Sequence, residues 1–223
     1  MYQGGKGKTY QHLINLMPPH KKYIEPFLGF GSVLRKKKPA EINIGNDLDE
    51  RCLEDFDKHI QASLFNMDAV ELLSNIELCG NTLVYCDPPY VSSTRRKKKI
   101  YRHEYTDLEH ERLLQHLLKQ SCMVLISGYE NEIYNHYLKD WNLISFSSQT
   151  QNGVRTECVW FNFTKPKVLH DARYLGSSFR ERETIKRRQQ RLKRKFLDMD
   201  PVERSAMIRW LNSEFPPLGN NYE

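Results

Sequence analysis

Short apolar runs recur along the chain at 22–25, 41–45, 82–86, 123–127, 143–148 and 157–163. Each is too short to make a stable helix, and each predicts a strand. Most of the stretches between them carry helical spacing. Thr106 followed by Glu109 predicts a capping box, with Leu108, Leu114, Leu117 and Leu118 recurring on one helical face behind it. Strands that alternate with helices predict a largely parallel sheet covered on both sides. The last two strand runs are joined only by Gln149 to Thr156, with Asn152-Gly153 inside, which is a hairpin signal. The pattern therefore predicts an α/β fold whose mostly parallel sheet ends in an antiparallel edge hairpin.

Beyond residue 164 the pattern changes. Phe179 to Leu197 reads as one very basic helix. Asp200-Pro201-Val202-Glu203 reads as a fresh helix start, with an N-cap acid, proline at the first turn and glutamate behind it. Met207, Ile208 and Leu211 follow, and Phe215-Pro216-Pro217 ends the second helix. Few apolar positions are left for a core. Two parts are thus expected, a body over 1–164 and a basic helical extension over 165–223.

Charge sharpens that division. The first 164 residues carry 20 basic and 20 acidic side chains, and the rest carry 14 and 8, so the whole excess of +6 sits in the tail. A neutral body with a basic appendage points to a polyanionic partner; the alternative is a solvated helix face. No apolar run approaches the roughly 18 residues of a membrane span, and the opening MYQGGKGKTYQH has no signal-peptide character. The expected setting is cytoplasmic, with no membrane partner. Cys52, Cys79, Cys86, Cys122 and Cys158 are odd in number and form no C-x-x-C pair, which suits reduced thiols. No metal site is expected: after His103-Glu104, Asp107 stands where a zinc-binding helix would need its second histidine.

Two segments carry candidate chemistry. Glu25-Pro26-Phe27-Leu28-Gly29-Phe30-Gly31-Ser32 follows a strand and leads into a helical stretch. Glycines two apart allow a sharp turn and close approach to a ligand, as in nucleotide-binding α/β folds. Asp47 comes sixteen residues after Gly31, past the next strand, where an acid can accept hydrogen bonds from ribose hydroxyls. A plain tight turn is the alternative for the glycines alone. Gly7-Lys8-Thr9 is not a phosphate-binding loop, because Tyr2 stands where its first glycine would be.

The second segment is Val84-Tyr85-Cys86-Asp87-Pro88-Pro89-Tyr90, an apolar strand running into an acid, two prolines and an aromatic. The prolines stiffen the backbone and remove two N–H donors. Asp87 and the Pro88 carbonyl can then accept both hydrogens of an exocyclic amino group, while Tyr90 offers a ring to a planar base.

Taken together, these residues resemble the S-adenosylmethionine-dependent DNA adenine N6-methyltransferases of the Dam-like, D12 class. Glu-Pro-Phe-x-Gly-x-Gly-Ser precedes Asp-Pro-Pro-Tyr. Tyr2-Gln3-Gly4-Gly5-Lys6 is similar to the family's opening motif, Asn46-Asp47 to its second acidic motif and Asn66-Met67-Asp68 to its third. Leu125-Ile126-Ser127 and Arg155 to Asn162 fit its later strands, and the motif order is that of the α group. The resemblance implies a Rossmann-like class I methyltransferase sheet over roughly residues 1–164. It places Tyr2, Lys6, Asp47 and Asp87 in the S-adenosylmethionine pocket, with Glu25, Pro26, Phe27, Gly29, Gly31, Ser32 and Asp68 around it. It assigns the target adenine to Asp87, Pro88, Pro89 and Tyr90, with the base flipped out of the duplex. Neither a metal nor a covalent intermediate is required. Cytosine C5 transfer is disfavoured, since no Pro-Cys pair occurs.

The chain also departs from the family. Dam-like enzymes insert a helical recognition domain before Asp-Pro-Pro-Tyr, yet only 39 residues separate Asp47 from Asp87. Two basic segments are candidates for contacting DNA in its place. One is Ser92 to Tyr105, with Arg95, Arg96, Lys97, Lys98, Lys99 and Tyr101; the other is the tail helix, with Lys186, Arg187, Arg188 and Arg191. Such arms imply phosphate contacts, strong salt dependence and a short or relaxed target. By analogy, the small size suggests a phage or mobile-element enzyme, of the kind found in restriction-modification or phage protection. The alternatives are a methyltransferase acting on an RNA base or on N4 of cytosine, and an inactive nucleic-acid-binding module.

Overall fold

In the computed structural model, residues 6–7, 9–54, 56, 59–95, 102–150 and 153–216 are described. The chain forms two compact units, 1–171 and 172–223.

The first unit is built on seven strands: β1 Lys22–Glu25, β2 Ile42–Asn46, β3 Ser63–Phe65, β4 Thr82–Cys86, β5 Met123–Gly128, β6 Asn142–Thr150 and β7 Gly153–Phe161. Their order across the sheet is β3-β2-β1-β4-β5-β7-β6. The pairs from β3 to β5 are parallel. β7 runs antiparallel between β5 and β6, and β6 forms the edge. This is the mostly parallel sheet with an edge hairpin that the apolar runs predict. β3 carries no apolar-run signal: three exposed residues pair with β2 alone.

The helices are α1 Tyr10–Ile14, α2 Ser32–Lys36, α3 Glu50–Glu54, α4 Ala69–Asn75, α5 Asp107–Leu117 and α6 Glu132–Tyr137. Both arms of the Thr106/Glu109 capping box at the start of α5 are present, a device contributing about 1 kcal/mol. The buried face of α5 differs from the leucines predicted. His110, Leu113, Leu114 and Leu117 are buried, whereas Leu108 is 77% exposed and Leu118 half exposed. The spacing i, i+3, i+4, i+7 from His110 fits the helix period; Leu108 and Leu118 fall off that stripe.

All residues of β4 and β5 are buried, as central parallel strands require. Ile24, Val84, Val124 and Ile126 meet Leu113, Leu114 and Trp160 in the main apolar cluster. Cys52, Cys86, Cys122 and Cys158 are buried, and Cys79 is exposed.

The second unit holds α7 Phe179–Asp198 and α8 Pro201–Glu214. Ser178 caps α7 through the Glu181 N–H, and Asp200 caps α8 through the Val202 N–H with Pro201 in the first turn. Neither helix contains a buried residue. No helix among the described residues is long and apolar enough to cross a membrane.

Candidate active site

Parallel strands bring their C-terminal ends to one edge, and loops leaving that edge form the usual crevice of such sheets. Here the ends of β1, β2 and β4 border a cavity of about 540 Å³. Glu25, Pro26, Phe27, Gly29, Gly31, Ser32, Asp47, Asp68, Asp87, Pro88 and Pro89 all line it, together with Lys6. The motifs separated in sequence are thus gathered at one place. Tyr2, Arg96, Lys97, Lys98, Lys99 and Tyr101 lie outside the described residues.

The β1–α2 loop turns on Gly29 and Gly31, both at positive φ (50° and 64°), where a side chain is strained. A Cβ on Gly31 would also stand 2.5 Å from the Phe56 ring. The loop is fastened by the Gly29 N–H, which donates to Asp47 Oδ2 at 2.7 Å, and by the Leu28 N–H, which donates to the Asn46 carbonyl. Asp47 Oδ1 accepts from the Asp49 N–H. Each Asp47 oxygen keeps acceptor capacity for a ligand, since a carboxylate oxygen carries two lone pairs. Burial raises the Asp47 pKa against these backbone hydrogen bonds.

Asp68 is engaged twice. It caps α4 through the Val70 and Glu71 N–H groups and pairs with Arg112 of α5. It therefore borders the cavity chiefly as a brace between α4 and α5. Glu25 is buried, and its Oε2 accepts from the Tyr23 hydroxyl and the Leu34 N–H. Burial pushes its pKa up to about 8.

Asp87 follows β4 directly. Its Oδ1 accepts from Lys6 Nζ and from the Ser127 hydroxyl, both at 2.8 Å, while Ser127 and the Tyr85 hydroxyl are hydrogen-bonded at 3.1 Å. Among the described residues no donor reaches Asp87 Oδ2 or the Pro88 carbonyl, so two acceptors are left at the turn. Burial raises the Asp87 pKa, and Lys6 holds it down in part. Burial alone would lower the Lys6 pKa, but Asp87, Tyr85 and Glu157 hold it well above the ordinary lysine value.

Tyr90 is placed differently from a freely offered stacking surface. It is buried, with Lys6 Nζ 4.9 Å from its ring centroid and Tyr129 packed edge-on to it at 4.6 Å. Its hydroxyl accepts from Lys6 and donates to Glu157 of β7. Arg95 also departs from the surface role read for it. Its side chain is only 5% exposed and pairs with Glu104 at 2.6 Å, tying together the two sides of the segment after the turn. Lys186, Arg187, Arg188 and Arg191 are exposed on α7.

Sequence reasoning did not single out Ser127 or Glu157 as site residues. The available signal was a serine near the end of an otherwise apolar strand, and a glutamate entering the buried half of β7. Arg102, His103, Glu104 and Tyr105 also line the cavity, and Arg102 reaches Asp49.

The strand order, the crevice at the parallel strand ends and the glycine turn define the fold of the class I methyltransferases. Residues 46–152 match the model of the D12 class N6 adenine-specific DNA methyltransferase family. No curated protein matches the chain. Among solved structures, a putative methyltransferase from Streptococcus mutans in complex with SAH aligns at a TM-score of 0.50 and 11% identity, over 69% of this chain and 94% of that one. An rRNA methylase from Streptococcus thermophilus aligns at 0.45 and 14% identity, over 69% and 93%. TrmK of M. capricolum in complex with S-adenosyl-homocysteine aligns at 0.47 and 10% identity, over 92% and 94%. Likeness at these identities speaks to the fold alone, and the first of the three carries that point.

Proposed function

We propose that this chain transfers a methyl group from S-adenosylmethionine to N6 of adenine in DNA. The observation that carries the reading is the pair of acceptors at Asp87 Oδ2 and the Pro88 carbonyl. They belong to adjacent residues of a proline-stiffened turn that lines the cavity, with Oδ1 fixed by Lys6 and Ser127. The D12-class match over 46–152 supports the same substrate.

The cavity suits the methyl donor by the chemistry of its lining. Glu25, Asp47 and Asp87 offer carboxylates to a ligand bearing an ammonium, a sulfonium and ribose hydroxyls, and Phe27, Met67 and Tyr105 offer apolar surface to its adenine. S-adenosylmethionine supplies a methyl group already activated on sulfur. What the protein must add is placement. Adenine N6 is a poor nucleophile because its lone pair is delocalised into the ring. Two hydrogen bonds, one to Asp87 Oδ2 and one to the Pro88 carbonyl, favour a pyramidal nitrogen whose lone pair points at the methyl group. Pro89 helps to hold that carbonyl in place by fixing the backbone. In a duplex the adenine must leave the stack to reach this turn. Stacking on Tyr90 then requires Lys6 or Tyr129 to uncover a face of its ring.

With no recognition domain between Asp47 and Asp87, DNA is held mainly through phosphates. Of the described basic residues read for that role, Lys186, Arg187, Arg188 and Arg191 are exposed, and the target sequence is short or relaxed. The setting that goes with this reading is the cytoplasm of a prokaryotic or phage-infected cell.

The test is methyl transfer from labelled S-adenosylmethionine to duplex DNA, single-stranded DNA and RNA, with nucleoside mass spectrometry of the products. N6-methyladenine in DNA, abolished by Asp87→Ala, is expected. N4-methylcytosine or a modified RNA base would overturn the substrate. Absence of cofactor binding would leave a nucleic-acid-binding module, and a single long, strict methylation motif would overturn the relaxed specificity.

A further inference from the structure

The turn from Asp87 to Tyr90 is held at both ends by one neighbour. Lys6 Nζ lies 2.8 Å from Asp87 Oδ1 and 2.6 Å from the Tyr90 hydroxyl. It also lies 2.9 Å from Glu157 Oε1, and the Tyr90 hydroxyl donates to that same oxygen at 2.9 Å. Glu157 comes from β7, which pairs with β5 and β6 and not with β4. It is not among the residues lining the cavity. Lys6 and Glu157 are both more than nine-tenths buried. Buried charges persist only where partners compensate them. Here one ammonium compensates two carboxylates.

That sharing has two consequences. Geometrically, Glu157 draws Lys6 and the Tyr90 hydroxyl toward β7, which fixes the acid and the aromatic relative to each other across the two prolines. Electrostatically, Lys6 is shared with a second carboxylate, so Asp87 ionises at higher pH than it would beside Lys6 alone.

We propose that Glu157 is a positioning residue for methyl transfer, acting through Lys6 and the Tyr90 hydroxyl to hold the Asp87–Tyr90 turn in its working orientation. The proposal rests on the reading of Asp87 as acceptor of the target amino group.

Among the described residues, the charged and titratable groups facing Asp87 are Lys6, Glu25 of β1, Tyr85 and Cys86 of β4, Tyr129, Tyr134 of α6 and Glu157 of β7, with Tyr90 reached through Lys6. Burial is the largest influence raising the Asp87 pKa, and Glu157 adds to it. Removing the Glu157 charge therefore lets Asp87 ionise at lower pH.

The experiment is steady-state methyl transfer across pH with Glu157→Gln, Glu157→Asp and Asp87→Ala, alongside cofactor binding by calorimetry. Misplacement of a reacting group by about 1 Å costs on the order of 100-fold. Glu157→Gln is thus expected to lower kcat by about 10- to 100-fold, with cofactor affinity unchanged and the acid limb of the pH profile moved to lower pH. Glu157→Asp keeps the charge, and is expected to recover part of kcat and the original acid limb. Unchanged kcat and acid limb in Glu157→Gln, with Asp87→Ala inactive, would overturn the proposal and leave the reading of Asp87 standing. An active Asp87→Ala would overturn that reading itself. If Glu157→Gln does not fold, Glu157→Asp and Tyr90→Phe carry the test. Each is expected to lower kcat at unchanged cofactor affinity, and full kcat in both would overturn the proposal.

Discussion

The two units of this chain are stabilised in different ways. In residues 1–171, short helices lean on a seven-stranded sheet, and the central strands β4 and β5 are wholly buried. In residues 172–223, two helices of 20 and 14 residues contain no buried side chain at all. Helices in the first unit run from 5 to 11 residues and would not persist alone. Those of the second are specified by local devices: Ser178 and Asp200 as caps, Pro201 in a first turn, and long runs of Lys, Arg, Gln and Leu. One unit is thus stabilised by packing and places its chemistry by packing. The other is specified along its own axis and offers chiefly a charged surface.

Core truncation gives the largest expected contrast. Leu113 is fully buried on α5, and Leu113→Ala is expected to cost about 2–5 kcal/mol. Leu192 on α7 is 52% exposed, and Leu192→Ala is expected to stay within about 0.5 kcal/mol. Urea titrations of both variants check this. A large loss for Leu192→Ala would show that α7 packs where its exposure says it does not.

A second contrast lies inside the first unit, between a buried acid and solvent. The Glu25 carboxyl ionises near 4.5 in an unfolded chain, and burial moves it to about 8 in the folded one. Between those values the folded state holds a proton that the unfolded state lacks. Stability is therefore full below about pH 4.5 and falls as pH rises toward 8. Glu25→Gln carries no such proton. Its stability relative to the parent should rise from pH 5 to pH 8 by on the order of 2–4 kcal/mol. The change with pH, read from denaturant midpoints, is the observable, because the Gln amide has its own constant cost in the buried site. A flat difference would mean that Glu25 is ionised in the folded protein. A cationic ligand in the cavity should oppose the effect, since it favours the carboxylate.

Much of this was legible in the sequence because its signals are local. Apolar runs marked six strands, Thr106 with Glu109 marked the start of α5, and Asp200-Pro201 marked the start of α8. The glycine turn and the acid-proline-proline-aromatic turn announced the two sides of the cavity. What escaped depends on distant partners. β3 exists only through its register with β2. Ser127 meets Asp87 across 40 positions, and Glu157 meets Tyr90 across 67. A polar residue in a strand becomes a site residue only when the sheet order brings its partner beside it. Arg95 shows the converse. Its neighbours in sequence are basic, which suggested an exposed arm, but Glu104 across the segment draws it inward.

That inward turn of Arg95 supports the smallest and most discriminating prediction. If α7 holds DNA through phosphates, each contact releases counterions and contributes about 0.9 to the slope of log affinity against log salt. Single substitutions Lys186→Gln, Arg187→Gln, Arg188→Gln and Arg191→Gln are each expected to flatten that slope by up to about 0.9 wherever the residue meets a phosphate. The corresponding loss between 50 and 200 mM salt is only about threefold per contact. None of the four should change thermal stability, because all are exposed. Arg95→Gln should do the opposite. It removes a paired, withdrawn guanidinium, so it should lower stability and leave the salt slope unchanged. Fluorescence anisotropy of a labelled duplex, titrated at several salt concentrations, separates the two behaviours. Equal slopes for the parent and all four α7 variants would remove the second unit from the DNA interface and return that role to the body.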